Sequence, residues 1–121
     1  MGELLRGKQI AEAPFFEALF TFTTPTPLDF GALVSGDVIV DSDVVIETPF
    51  DDPAAMLSFG LQSSPGNILP IAAIDPSTAG TYNNGADFPV SGPDGFRLQI
   101  IPGASTQGSG RVVVSVRRQT R

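Results

Sequence analysis

From residue 15 onward the chain alternates apolar and polar positions with a period of two, the signature of strands with one face in a core and one in water. Residues 15–23 place Phe16, Ala18, Phe20 and Phe22 on one side and Glu17, Leu19 and Thr21 on the other. The run Thr24-Pro25-Thr26-Pro27 ends that strand, because proline has no N–H to give to a ladder. Residues 28–34 predict a second short strand. After a Ser35-Gly36-Asp37 turn comes the longest pattern, with Val38, Val40, Val44, Ile46 and Thr48 on one face and Asp41, Asp43 and Glu47 on the other. Residues 49–53 read as a loop. Residues 56–61 alternate again, with Leu57, Phe59 and Leu61 pointing one way and Gly60 able to accommodate a bulge.

The second half is less regular. Residues 62–67 are rich in turn formers, residues 68–74 are apolar but broken by Pro70, and Asn83-Asn84-Gly85 is a turn signal of the Asn-Gly type between short strands at 80–82 and 88–90. Two clear strands close the chain. Phe96, Leu98 and Ile100 alternate with Arg97 and Gln99, and Val112, Val114 and Val116 alternate with Arg111, Ser115 and Arg117. The glycine-rich stretch 103–110 joins them; it lacks the Lys-Ser/Thr ending of a phosphate-binding loop and precedes no helix, so it reads as a hairpin loop. Roughly seven to nine short strands without a convincing helix predict an all-β fold, an antiparallel β-sandwich of jelly-roll-like type. Periodicity leaves the strand order open. Residues 1–14 carry no strong capping or strand signal and are expected to form an extended N-terminal arm, with one sandwich domain over 15–121.

Composition narrows the chemistry. A chain of 121 residues suits one core, and 13 Gly with 11 Pro favour many turns over long helices. There is no His and no Cys, which removes the usual general base, the usual metal ligands, disulfides and thiolate chemistry. No catalytic residue and no cofactor are expected. No segment has the roughly 20 apolar residues of a membrane span and the N-terminus lacks an apolar signal core, so a soluble chain without a signal peptide is expected.

Charge adds a second constraint. Every basic residue lies near an end: Arg6, Lys8, Arg97, Arg111, Arg117, Arg118 and Arg121, with none from 9 to 96, while ten acids lie between Asp29 and Asp94. Such a body repels nucleic-acid backbones and anionic membranes, so neither is an expected partner. The Arg117, Arg118 and Arg121 cluster reads either as a solvated tail or as a complement to an acidic patch on another protein. Phe15 stands out from the aromatic stripe, because it falls on the opposite face from Phe16, Phe20 and Phe22 at the arm junction and would suit an interface anchor.

The acids Asp37, Asp41, Asp43, Asp51 and Asp52 form the densest acidic group. Asp41 and Asp43 share an exposed strand face, where like charges repel unless a cation or basic group sits between them; solvated acids and a calcium-type site are the two readings, and the spacing is not that of a helix-loop-helix calcium loop. A paired-carboxylate glycosidase would need a cleft and aromatic platforms, and the chain has no Trp and one Tyr, Tyr82.

The run GDVIVDSDVVIETPFDDPAAMLSFGL over residues 36–61 resembles the β-sandwich domains of small virion proteins of tailed bacteriophages, in which a Val-rich strand ends in a Thr-Pro-Phe-Asp-like turn. Gly-Thr-Tyr at 80–82 and the closing GSGRVVVSV at 108–116 are similar to the same domains, and the likeness covers residues 20–118. LRGKQI, residues 5–10, is similar to the N-terminal attachment peptides of phage tail fibres. The resemblance implies a non-enzymatic structural component of the virion, assembled in the host cytoplasm. It is expected as a tail-fibre or tail-associated protein docking through its arm, with a capsid decoration (cement) protein as the alternative. A carbohydrate-binding module, with a host-surface glycan as ligand, is the further alternative. The contacts expected to bind other virion proteins are Leu4, Leu5, Arg6, Lys8, Gln9, Ile10, Phe15, Arg117, Arg118 and Arg121. A homo-oligomer, with a trimer favoured, follows from the same resemblance and from a small Cys-free core that gains from partner surface.

Overall fold

The computed structural model describes residues 15–118. They form nine strands: β1 (Phe15–Thr21), β2 (Leu28–Leu33), β3 (Val38–Thr48), β4 (Met56–Leu61), β5 (Ser64–Leu69), β6 (Gly80–Asn84), β7 (Phe88–Pro89), β8 (Asp94–Ile101) and β9 (Ser109–Arg117), with a single 3-10 turn at Ile71–Ala73. One sheet has the order β1-β9-β3-β6, with β7 also on β3, and the other β2-β8-β4-β5. All pairings are antiparallel.

The pairs are nested in sequence. β4 pairs with β5, β3 with β6, β2 with β8 and β1 with β9, so the chain doubles back once, and successive pairs of the doubled ribbon alternate between the sheets. The antiparallel two-sheet sandwich is the architecture expected from sequence. The nested pairing also makes the first and last strands neighbours.

The core lies between the sheets. Phe20, Ile46, Val112, Val114 and Val116 come from one side and Leu57, Phe59, Phe96, Leu98 and Ile100 from the other, all almost inaccessible. Burying one such side chain contributes about 1.5–3 kcal/mol. At one end of the core Phe96 packs against Phe16, Phe30 and Phe59 with ring centroids 5.4, 5.3 and 5.6 Å away.

Three local expectations are corrected. In β3, Ile39 faces the core and Val38 and Val40 do not, because two steps along β3 (Ile39 to Asp41) match one along β9 (Val116 to Ser115). That bulge inverts the alternation, and Ser42, Val44 and Ile46 then point inward. Second, residues 64–69 form β5 although Ser64, Pro65 and Gly66 read as turn; β5 is an edge strand, where a proline costs no ladder bond. Third, Asn83-Asn84-Gly85 is not a hairpin turn. Asn83 and Asn84 belong to β6, and β6 and β7 lie in succession along β3 opposite its bulged end. Gly60, which could accommodate a bulge, carries none: β4 pairs with β8 without a shift from Met56 to Leu61, and the irregularity between Phe59 and Leu61 puts the extra residues in β5, where Ser64 to Leu69 spans five steps against two.

Candidate interaction surface

Because β1 and β9 are antiparallel neighbours with Phe15 opposite Ser115, the entry to β1 and the exit from β9 lie at the same end of the sandwich. Phe15 and Arg117 therefore lie toward the same end of the sandwich. Leu4, Leu5, Arg6, Lys8, Gln9, Ile10 and Arg121 lie outside the described residues. Phe15 is on the outer face of β1 and 61% exposed; two residues beyond Glu17 on the same face, Leu19 is 71% exposed. Sequence alternation put Leu19 on the wet face without singling it out. Its signal was a large apolar residue in register with Phe15.

The two arginines that end the described chain behave differently. Arg117 is half-exposed, with a guanidinium nitrogen 3.7 Å from Asp87. Arg118 turns inward: its Nε and a terminal nitrogen donate to both oxygens of Asp37 at 2.8 and 2.7 Å, and it also donates to the Ala32 carbonyl at 3.2 Å. Asp37 is 1% exposed and accepts in addition from the Val34 N–H at 2.9 Å, closing the turn before β3. The hydrogen bonds from Arg118 hold the Asp37 carboxyl below the usual carboxylate range, against burial, which acts in the other direction.

Across the outer face of the β1-β9-β3-β6 sheet, Arg111 lies between Glu17 at 3.7 Å and Glu47 at 3.4 Å. Beside it the Asn83 side-chain amide donates to Asp41 and to Asp43, each at 2.7 Å. A neutral donor thus occupies the position where the sequence called for a cation or a basic group. Asp51 and Asp52 serve another purpose. Asp51 accepts from the Thr106 N–H at 2.7 Å and from its hydroxyl, and Asp52 from the Ala104 N–H at 2.6 Å, so both fasten the 102–108 loop. Those bonds lower both carboxyls below the ordinary range. Among the described residues no three His, Cys, Asp or Glu side chains converge as metal ligands would. The five acids that are dense in sequence are dispersed over three locations in space.

The opposite sheet carries a shallow depression of about 300 Å³, with Met56, Ile71 and Ile101 at its rim and Ser58 and Gln99 in its floor. The Ser58 hydroxyl donates to the Gln99 side-chain oxygen at 2.9 Å. No aromatic ring and no charged group lines it, so it offers neither a stacking platform for a sugar nor an acid-base pair.

No protein-family model matches this chain, and no curated protein does. Solved structures do. A chain of the acid-stable capsid structure of Helicobacter pylori bacteriophage KHP30 is 15% identical with a TM-score of 0.72, over 89% of this chain and 89% of that one. A chain of the capsid asymmetric unit of cyanophage Pam1 is 18% identical with a TM-score of 0.66, over 93% of this chain and 89% of that one. At such identities the likeness establishes the sandwich fold.

Proposed function

We propose that this chain is a non-enzymatic structural component of a bacteriophage virion, joined to other virion proteins through its N-terminal arm. The observation that carries the proposal is the match of nearly the whole sandwich, in single-domain form, to two chains from phage capsid structures. Of the two virion locations expected from sequence, a capsid-associated role is favoured over a tail-fibre role, because both neighbours come from capsid structures. The surface is consistent with an assembly role: the exposed apolar residues Phe15 and Leu19 adjoin the point where residues 1–14 join the domain. A homo-oligomer, with a trimer as the favoured state, remains part of the proposal.

The test is incorporation. Particles assembled with the full chain are expected to carry it on the capsid shell when imaged, and particles assembled with a chain lacking residues 1–14 are expected to lack it. Normal incorporation of the shortened chain would refute the arm as the attachment element, and density on the tail would move the protein back to the fibre reading. A glycan array supplies the rival outcome, since specific sugar binding would favour the carbohydrate-binding alternative.

A further inference from the structure

Of the three asparagines in the chain, Asn67, Asn83 and Asn84, only Asn84 is followed by glycine. Asn84-Gly85 reads as a turn signal in sequence, and the fold puts it to a different use. Asn84 is the last residue of β6, opposite Ser42 of β3, and its side chain crosses to the other sheet. Nδ2 donates to the Ile68 carbonyl of β5 at 2.8 Å, and Oδ1 accepts from the Ala86 N–H at 2.9 Å. β6 and β5 are edge strands of different sheets, so this amide fastens the sandwich along one side. The task requires an amide. The Ile68 carbonyl needs a donor and the Ala86 N–H an acceptor, and the asparagine side chain carries both on one planar group.

The same dipeptide holds a reaction of its own. Asparagine is a labile residue, and Gly85 has no side chain to shield its backbone nitrogen from the Asn84 side-chain carbon once the backbone turns. A bond then forms between the Gly85 nitrogen and Asn84 Cγ, closing a succinimide. Nδ2 leaves as ammonia with the proton that the Gly85 nitrogen gives up. Water opens the ring by breaking one of its C–N bonds, and the product is aspartate or isoaspartate. In the folded chain the β6–β3 ladder keeps Asn84 extended and both ends of its amide are engaged. Fraying releases these restraints together, because Asn84 is the last paired residue before the edge is interrupted up to Phe88.

We propose that Asn84 is a deamidation site kept closed by its bonds to Ile68 and Ala86, and that its conversion to an acid unfastens β6 from β5. Aspartate sets a carboxylate against the Ile68 carbonyl, acceptor against acceptor with no proton between them. Isoaspartate lengthens the backbone inside β6 and displaces its register with β3. Neither product rebuilds the clasp, so an opening that ends in reaction is permanent. Asn83 is the internal comparison, since its amide is held by Asp41 and Asp43 and the residue after it carries a side chain.

The test incubates the full chain in mildly alkaline buffer, folded or unfolded in urea. Peptide mass mapping reads the conversion of amide to acid, and anion exchange reads the added negative charge. Asn84 is expected to convert in the unfolded chain well ahead of Asn83 and Asn67, and at least about tenfold more slowly in the folded chain. Gly85→Ala is expected to suppress the reaction in the unfolded chain. It leaves the fold intact, because Gly85 is not left-handed and the new Cβ would meet Asn83 Oδ1 and Asp41 Oδ1 at 3.5 and 3.6 Å, ordinary contact. Asn84→Asp, the product itself, is expected to speed hydrogen exchange along β5 and β6 by about tenfold or more relative to Val114. Equal conversion of Asn84 in the folded and unfolded chains would overturn the protection. Conversion of Asn84 no faster than Asn83 in the unfolded chain, or undiminished in Gly85→Ala, would overturn the site. Unchanged exchange in Asn84→Asp would overturn the clasp.

Discussion

Asp37 is buried at the start of β3 with one charged partner, and that pairing makes a strong demand on Arg118. Removing one member of a buried ion pair leaves an uncompensated charge and costs about 3–5 kcal/mol; since the Arg118 side chain keeps 28% exposure, the lower end applies. Arg118→Ala is therefore expected to lower the stability by about 3 kcal/mol at pH 7, measured by urea unfolding. The sign with pH follows from the lowered Asp37 value. The contribution is complete above the ordinary carboxylate value of 3.8 and is lost as pH falls through the lower folded value. The native and Arg118→Ala chains should accordingly converge in stability in strong acid, and a constant gap would contradict the pairing. Ser42 gives the opposite case. Its hydroxyl is fully buried and has no hydrogen-bond partner among the described residues, so Ser42→Ala removes an unsatisfied polar group. It is expected to stabilise the fold by about 1 kcal/mol, and a clear loss in the same urea assay would show that the hydroxyl has a partner.

At the scale of elements, the loop before β9 is held from outside itself. Its anchor, Asp52, lies beyond β3 in sequence and accepts from the Ala104 N–H, while Gly103 adopts a left-handed φ of 62° with the carboxylate close against it. Asp52→Ala is expected to speed hydrogen exchange at the Ala104 amide by about tenfold or more, leaving the amides of Leu98 and Val114 in the neighbouring strands unchanged. Uniform acceleration across the domain would mean that Asp52 supports global stability instead. The same scale shows where the sequence was readable. β1, β4, β8 and β9 were legible because their alternation is unbroken and one face is dry. β5 was hidden by Pro65 and Gly66, which are tolerable only at an edge, and edge position belongs to topology. The inner face of β3 was misread at Val38 and Val40 because a bulge depends on the register with β9.

For the whole molecule, carboxylates carry much of the pH response. Asp29, Asp37, Asp51, Asp52 and Asp94 all have lowered values in the fold. For Asp29 the cause is the Arg97 guanidinium, which donates at 2.7 and 2.9 Å; for Asp94 burial opposes the shift and donors from Ser63 and Gly95 outweigh it. Each contributes stability that is present above the ordinary carboxylate value and lost below it. Stability is thus expected to hold from neutral pH to about pH 4 and to fall below it, followed by urea midpoints across that range. A midpoint that rose on acidification would contradict the carboxylate account.

The sequence by itself determined the class of this protein: a two-faced strand pattern, a dry core rich in Phe and Val, and a composition without His or Cys that removes the chemistry depending on those two side chains. It also marked both ends of the domain, and Phe15 in particular, since an apolar residue on a wet strand face is visible from parity alone. The tertiary structure decided what those residues could meet. Only the nested pairing puts β1 beside β9 and so sets Phe15 at the same end as Arg117, turns Arg118 inward to Asp37, and scatters five acids that are close in sequence. Alternation is a local property fixed by backbone geometry. Strand order, register and the identity of a free edge arise from contacts between distant segments, which no local pattern encodes.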